Sequence, residues 1–137
     1  MGENTLKQPM ENLEGELSAR SYRASISVLK EVIPYLREDD EVRTRLEKSV
    51  KTISMLVAAD VRGSDESMKR SCAVSEAMRR CRETVVMLSY CRDLHDRFIN
   101  RSLCEELISI YRYVSDALVE FGSVDRDPQE VGSEQAN

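Results

Sequence analysis

The stretch Val74-Ser-Glu-Ala-Met-Arg-Arg-Cys-Arg-Glu-Thr-Val-Val-Met-Leu-Ser-Tyr-Cys91 decides the fold class. Val74, Met78, Cys81, Val85 and Leu88 recur at steps of three and four and continue to Cys91 or Arg92. That is the repeat of one helix face, not the alternation of a strand. The helix that carries it is expected to run from about Asp65 to His95. Around Val85-Val86-Met87-Leu88 the apolar residues wrap past a single stripe. A helix in a small bundle buries one stripe, so the excess predicts a second packing partner, such as another subunit. Val86, Met87 and Tyr90 are the expected oligomer interface.

Three further helical patterns surround this segment. Tyr22, Ile26, Leu29, Ile33 and Leu36 form the first stripe, and Pro34 inside it removes a backbone donor and predicts a kink or break. The acidic run Glu38-Asp39-Asp40-Glu41 supplies a cap and a negative first turn for the second helix. That helix carries Val42, Leu46, Val50 (or Ser49), Ile53 and Leu56 or Val57, and is expected to end near Arg62. Gly63 then acts as a left-handed stop, and Ser64 caps the third helix. Ser102-Leu-Cys-Glu105 reads as a capping box opening the fourth helix. Its stripe is Leu103, Leu107, Ile110 or Tyr111, Val114, Leu118 and Phe121.

The connections between these helices are short, which forces sequence neighbours to lie antiparallel. The predicted fold is therefore all-α, an antiparallel up-down-up-down four-helix bundle over residues 19–121. Residues 1–18 are read as a polar acidic tail or an early helix start through Leu13 and Leu17. Residues 122–137 read as a disordered acidic tail.

Composition agrees with helices. The 137 residues include no Trp, five Gly and three Pro, with charge dense throughout. No apolar run is long enough to span a bilayer. Residues 1–15 are polar and acidic, unlike a secretory or mitochondrial leader, so a cytoplasmic location is expected. The net charge of −5 is uneven. Eight acidic and two basic residues sit in the two tails, leaving 18 basic and 17 acidic residues in the body.

Candidate chemistry is sparse. Cys72, Cys81, Cys91 and Cys104 lack the close C-x-x-C spacing of zinc ligands, and three of them fall within one long helix, too far apart to pair. They read as reduced, mostly buried small apolar residues. The single histidine, His95, lies four residues after Cys91. This is a pair that suits a helix end better than a metal site or a thiolate with its base. One histidine cannot supply the two Glu-x-x-His motifs of a di-iron bundle. No phosphate-cradling glycine loop, nucleophile elbow or HExxH motif occurs. No catalytic residue, metal site or cofactor is expected.

Arginines supply the remaining signal. Arg79, Arg80 and Arg82, with Lys69 and Arg70 behind them, are the candidate nucleic-acid contacts, because the guanidinium fork matches phosphate oxygens in pairs. Glu76, Glu83, Asp93 and Asp96 interleave with the basic residues of this region and allow a self-paired, solvated face instead. Tyr111 and Tyr113 cannot share one helix face. One is expected inside and the other at a groove or interface.

From Ala19 to Phe121 the layout resembles the bacterial four-helix-bundle proteins encoded within 23S ribosomal RNA intervening sequences. It also resembles the related accessory variability determinants of diversity-generating retroelements. The resemblance rests on Ile26-Ser-Val-Leu-Lys-Glu-Val-Ile33 before Pro34, on Leu46-Glu-Lys-Ser-Val50, on Val57-Ala-Ala-Asp60 before Gly63, and on Glu76 to Leu88. Where the intervening-sequence proteins carry a Ser-Ile-Pro-x-Asn-Ile-Ala-Glu-Gly-like junction, this chain reads Ile53-Ser-Met-Leu-Val-Ala-Ala-Asp-Val61. The resemblance implies a ring-like homo-oligomer such as a pentamer and no catalysis. It also implies a link to RNA or to an RNA-handling partner such as a reverse transcriptase or ribonucleoprotein. The expected function is therefore non-enzymatic binding of RNA or of such a partner; the alternative is a protein-interaction adaptor with no nucleic-acid role.

Overall fold

Helix α1 spans Asn4–Glu31, α2 Glu41–Met55, α3 Ser67–Leu94 and α4 Arg101–Val124. The computed structural model describes residues 4–61, 66–94 and 98–124, with side chains over residues 15–120 of these apart from Asp60 and Leu94. The chain is an antiparallel bundle in which α1 packs on α2, α2 on α3, α3 on α4 and α4 back on α1, while among the described residues the diagonal pairs make no close backbone approach. α4 runs on to Val124, three residues into the segment 122–137 expected to be disordered. Gly63, Ser64, His95 and residues 125–137 lie outside the described residues.

The break at Pro34 is where the sequence places it. α1 stops at Glu31 and a short 3-10 turn, Ile33–Tyr35, carries Pro34. Leu36 then turns extended (φ −86°, ψ 147°) while remaining buried. The Arg43 guanidinium reaches back and donates to the Leu36 carbonyl at 3.1 Å, tying α2 to the turn. Asp40 caps α2 by accepting from the Val42 amide at 2.9 Å.

α1 presents a different stripe from the one its large apolar residues suggest. Leu17, Ser21, Ala24, Ser25, Val28 and Val32 are buried, whereas Tyr22 is 59% exposed and Ile26 and Leu29 are half-buried. Small residues let this helix approach its neighbours closely. The two serines enter the interior without orphaned hydroxyls, because Ser21 donates to the Ser18 carbonyl at 3.1 Å and Ser25 to the Tyr22 carbonyl at 2.6 Å.

α2 buries Leu46, Ser49, Val50 and Ile53, then loosens into a π-helical stretch, Leu56–Val61. Ile53, Val57 and Val61 recur every four residues and all are buried. In a straight α-helix such a repeat drifts about 40° per step. The wider π turn reduces that drift and keeps all three on the core side. Across the α2/α3 contact, the Ser49 and Thr84 hydroxyls meet at 2.8 Å in a buried polar pair, and Thr84 also donates to the Arg80 carbonyl at 2.8 Å.

α4 starts one residue before the expected capping box. Asn100 is the cap, its side-chain oxygen accepting from the Leu103 amide at 3.1 Å, and Ser102 lies within the helix. Asn caps as well as Ser, and the earlier start places Cys104, Leu107, Ile108, Tyr111, Val114 and Leu118 in the core.

The position of the α1 stripe can be tested by substitution. Ser25→Leu, which forces a larger side chain into a packed interior, is expected to cost about 1–3 kcal/mol in urea unfolding. Tyr22→Ala on the exposed side is expected to change stability by about 0.5 kcal/mol or less. Equal costs at the two positions would return Tyr22 to the core stripe.

Candidate binding surface

The outward side of α3 is the strip Ser75, Arg79, Arg82, Val86 and Asp93, spaced by helical turns and exposed along its length. Its charges divide into two unlike groups. Toward α2, Arg79 grips Glu76 with two bonds, Nη2 to Oε1 at 2.6 Å and Nε to Oε2 at 3.1 Å. Arg80 adds a third bond to the same carboxylate at 3.0 Å. Glu83 accepts from Arg45 of α2 at 2.9 Å and lies 3.8 Å from Arg79. Hydrogen bonds from Arg79 and Arg80 hold the Glu76 carboxyl below its ordinary range. Arg79 and Arg80, two of the expected phosphate contacts, therefore already have carboxylate partners.

Arg82 faces the other way, toward α4. It borders a groove of about 480 Å³ between α3 and α4, whose opposite edge carries Arg112 and Asp116. Met78, Val85, Val86 and Val119 supply its apolar surface. Neither Arg82 nor Arg112 makes an ion pair with a described carboxylate. By contrast, Arg20, Arg37, Arg45, Arg79, Arg80, Arg92 and Arg101 all do. Lys69 and Arg70 sit near the start of α3, ten residues or about 15 Å from Arg79–Arg80 along the helix. The fold thus brings Arg79 and Arg80 together on one side, turns Arg82 to the other, and leaves Lys69 and Arg70 at one end.

The expected interface residues separate as well. Val86 is 68% exposed at the groove edge and Tyr90 is half-buried, but Met87 is only 6% exposed. Met87 shares the inner face with Thr84, Leu88 and Cys91, so it packs the bundle rather than an outside partner. Sequence reading missed Arg112 and Val119. In the sequence their signal is that Arg112, Asp116 and Val119 recur at steps of four and three outside the α4 core stripe, and in the fold Val119 is 47% exposed.

A second, smaller groove of about 290 Å³ lies between α1 and α4, bordered by Arg20, Arg23, Leu103 and Glu106. Arg20 pairs with Glu16 at 2.7 Å and stacks over the Tyr113 ring at 4.5 Å. Tyr113 is thus the half-buried member of the tyrosine pair, and Tyr111 is fully buried. The Tyr111 hydroxyl has no hydrogen-bond partner among the described residues, and burial pushes its pKa up.

Burial withdraws three of the four cysteines from nucleophilic chemistry in the folded chain. All four are free; Cys72 is exposed, and Cys81, Cys91 and Cys104 are buried. Burial pushes the Cys81 and Cys91 thiols up to about 12 and raises that of Cys104. Among the described residues no cluster of three metal-ligating side chains occurs, and no helix is long and apolar enough to cross a membrane. Compared with protein-family models, curated proteins and solved structures, the chain finds no match.

A thiol-exchange reagent at mildly alkaline pH is expected to modify Cys72 quickly and the other three only as the protein unfolds. Cys72→Ser is expected to abolish the fast phase. Fast labelling of a second cysteine in the native protein would contradict the burial of Cys81, Cys91 and Cys104.

Proposed function

We propose that this chain is a non-enzymatic bundle that acts by docking another protein, and that the docked partner handles RNA. One observation carries the docking part: an apolar groove with valines in solvent, flanked by two arginines without described carboxylate partners, on a bundle whose core is already filled. Two features support a role without catalysis: Arg79 and Arg80 are held in surface ion pairs, and burial raises the Cys81 and Cys91 thiols. The RNA link rests on the resemblance of α1 to α4 to the intervening-sequence and retroelement proteins. The same resemblance supports self-association, with a ring as the form.

Direct RNA binding is the second reading, and Arg82 and Arg112 favour it because two guanidiniums at one groove suit a phosphate. Lys69 and Arg70 lie at the start of α3, away from that groove, while Arg79 and Arg80 reach a phosphate only by giving up Glu76 and Glu83.

Light scattering on a sizing column, with the ultraviolet ratio that reports nucleic acid, tests both readings together. The expected outcome is a multiple of the chain mass, free of nucleic acid, with no binding of a labelled single-stranded RNA at moderate salt. A single-chain mass at every concentration would remove self-association. RNA binding that falls steeply with salt, and is lost in Arg82→Glu/Arg112→Glu, would replace protein docking by the direct reading.

A further inference from the structure

We infer that the α3/α4 groove is the receptor for an amphipathic helix of a partner protein, one whose apolar stripe is flanked by acidic residues. The inference rests on the protein-docking reading and adds the partner's chemistry. The groove runs along two antiparallel helices, with lining residues from Met78 to Val86 on α3 and from Tyr111 to Val119 on α4. Eight helical steps on each side give a trough about 12 Å long. That length seats two turns of a third helix, and the i, i+3, i+4, i+7 stripe of such a helix fits a surface of this shape. Met78, Val85, Val86 and Val119 are the side chains it would cover.

Charge decides which helix. Arg82 on one wall and Arg112 on the other are unpaired among the described carboxylates, although most described arginines have an acidic partner. Burying them beneath a neutral or basic helix would strip water from two cations without replacement, whereas flanking Glu or Asp side chains would pair them bidentately. Asp116 on the α4 wall sets a polarity, because it repels an acidic residue in its immediate reach and favours a basic or neutral one there.

Fluorescence anisotropy with two labelled helical peptides of about four turns tests the inference. Both carry leucines along one stripe; one is flanked by glutamates, the other by lysines. The full chain is expected to bind the glutamate peptide at least about tenfold more tightly than the lysine peptide. Arg82→Glu/Arg112→Glu, with helicity checked by circular dichroism, is expected to reverse that preference. Val86→Asp/Val119→Asp is expected to weaken the glutamate peptide by about tenfold or more. Equal binding of both peptides, lost in the valine variant, would keep the docking reading and overturn the acidic partner. No peptide binding, together with a smaller particle mass in the valine variant, would assign the groove to a second copy of this chain and overturn the inference. No peptide binding with an unchanged mass would overturn both the inference and the docking reading.

Discussion

The bundle depends on the burial of α3 from two sides. Ala73, Ala77, Cys81 and Thr84 are small, so α2 and α4 approach α3 closely, and Leu88 and Cys91 continue the same inner surface. A thin inner face has a consequence for the outer one. With 73, 74, 77, 81, 84, 87, 88 and 91 all turned inward, the exposed strip narrows to positions such as 75, 79, 82 and 86. Whatever α3 shows to another molecule must come from that strip and from the α4 wall beside it. The Ser49–Thr84 hydroxyl pair fixes α2 against α3 at one height, since a slip in register would leave both groups buried without each other.

The surface charges follow from the same packing. Glu76 and Glu83 lie about two turns apart on the α2 side of α3, within reach of Arg79, Arg80 and Arg45, so three cations and two carboxylates settle into one chain of pairs. Pairs this exposed contribute little to stability individually. Their larger effect is to occupy the arginines. Arg82, one turn further on and rotated toward α4, finds no such carboxylate. Three arginines within four residues of sequence therefore differ in what they have left to offer a ligand, and the difference is set by which neighbouring helix each one faces.

The groove and the α1 stripe depend on cross-helix placement in the same way. Arg112, Asp116 and Val119 belong to α4's polar side when read alone, and become a wall only because α3 runs alongside. Tyr22 and Ile26 carry more apolar surface than Ser21, Ala24 and Ser25, yet the smaller set faces inward. Local hydrogen bonds satisfy the two serines, and the interior has room for small side chains, not for another ring.

Read alone, the chain yielded four helices, the break at Pro34, the Asp40 cap, the inner faces of α2 and α4, and an all-α bundle of antiparallel neighbours. Those features are local: three-to-four periodicity, a missing amide proton and a short loop act within a few residues. Tertiary structure alone decided the rotation of α1, the inward turn of Met87, the use of Asn100 in place of Ser102 as the α4 cap, and the split between paired and unpaired arginines. Each of these is settled by the distance to a neighbouring element or by competition between near-equivalent local choices. A linear pattern ranks residues by type and spacing, but it does not contain the distances across the bundle that choose among them.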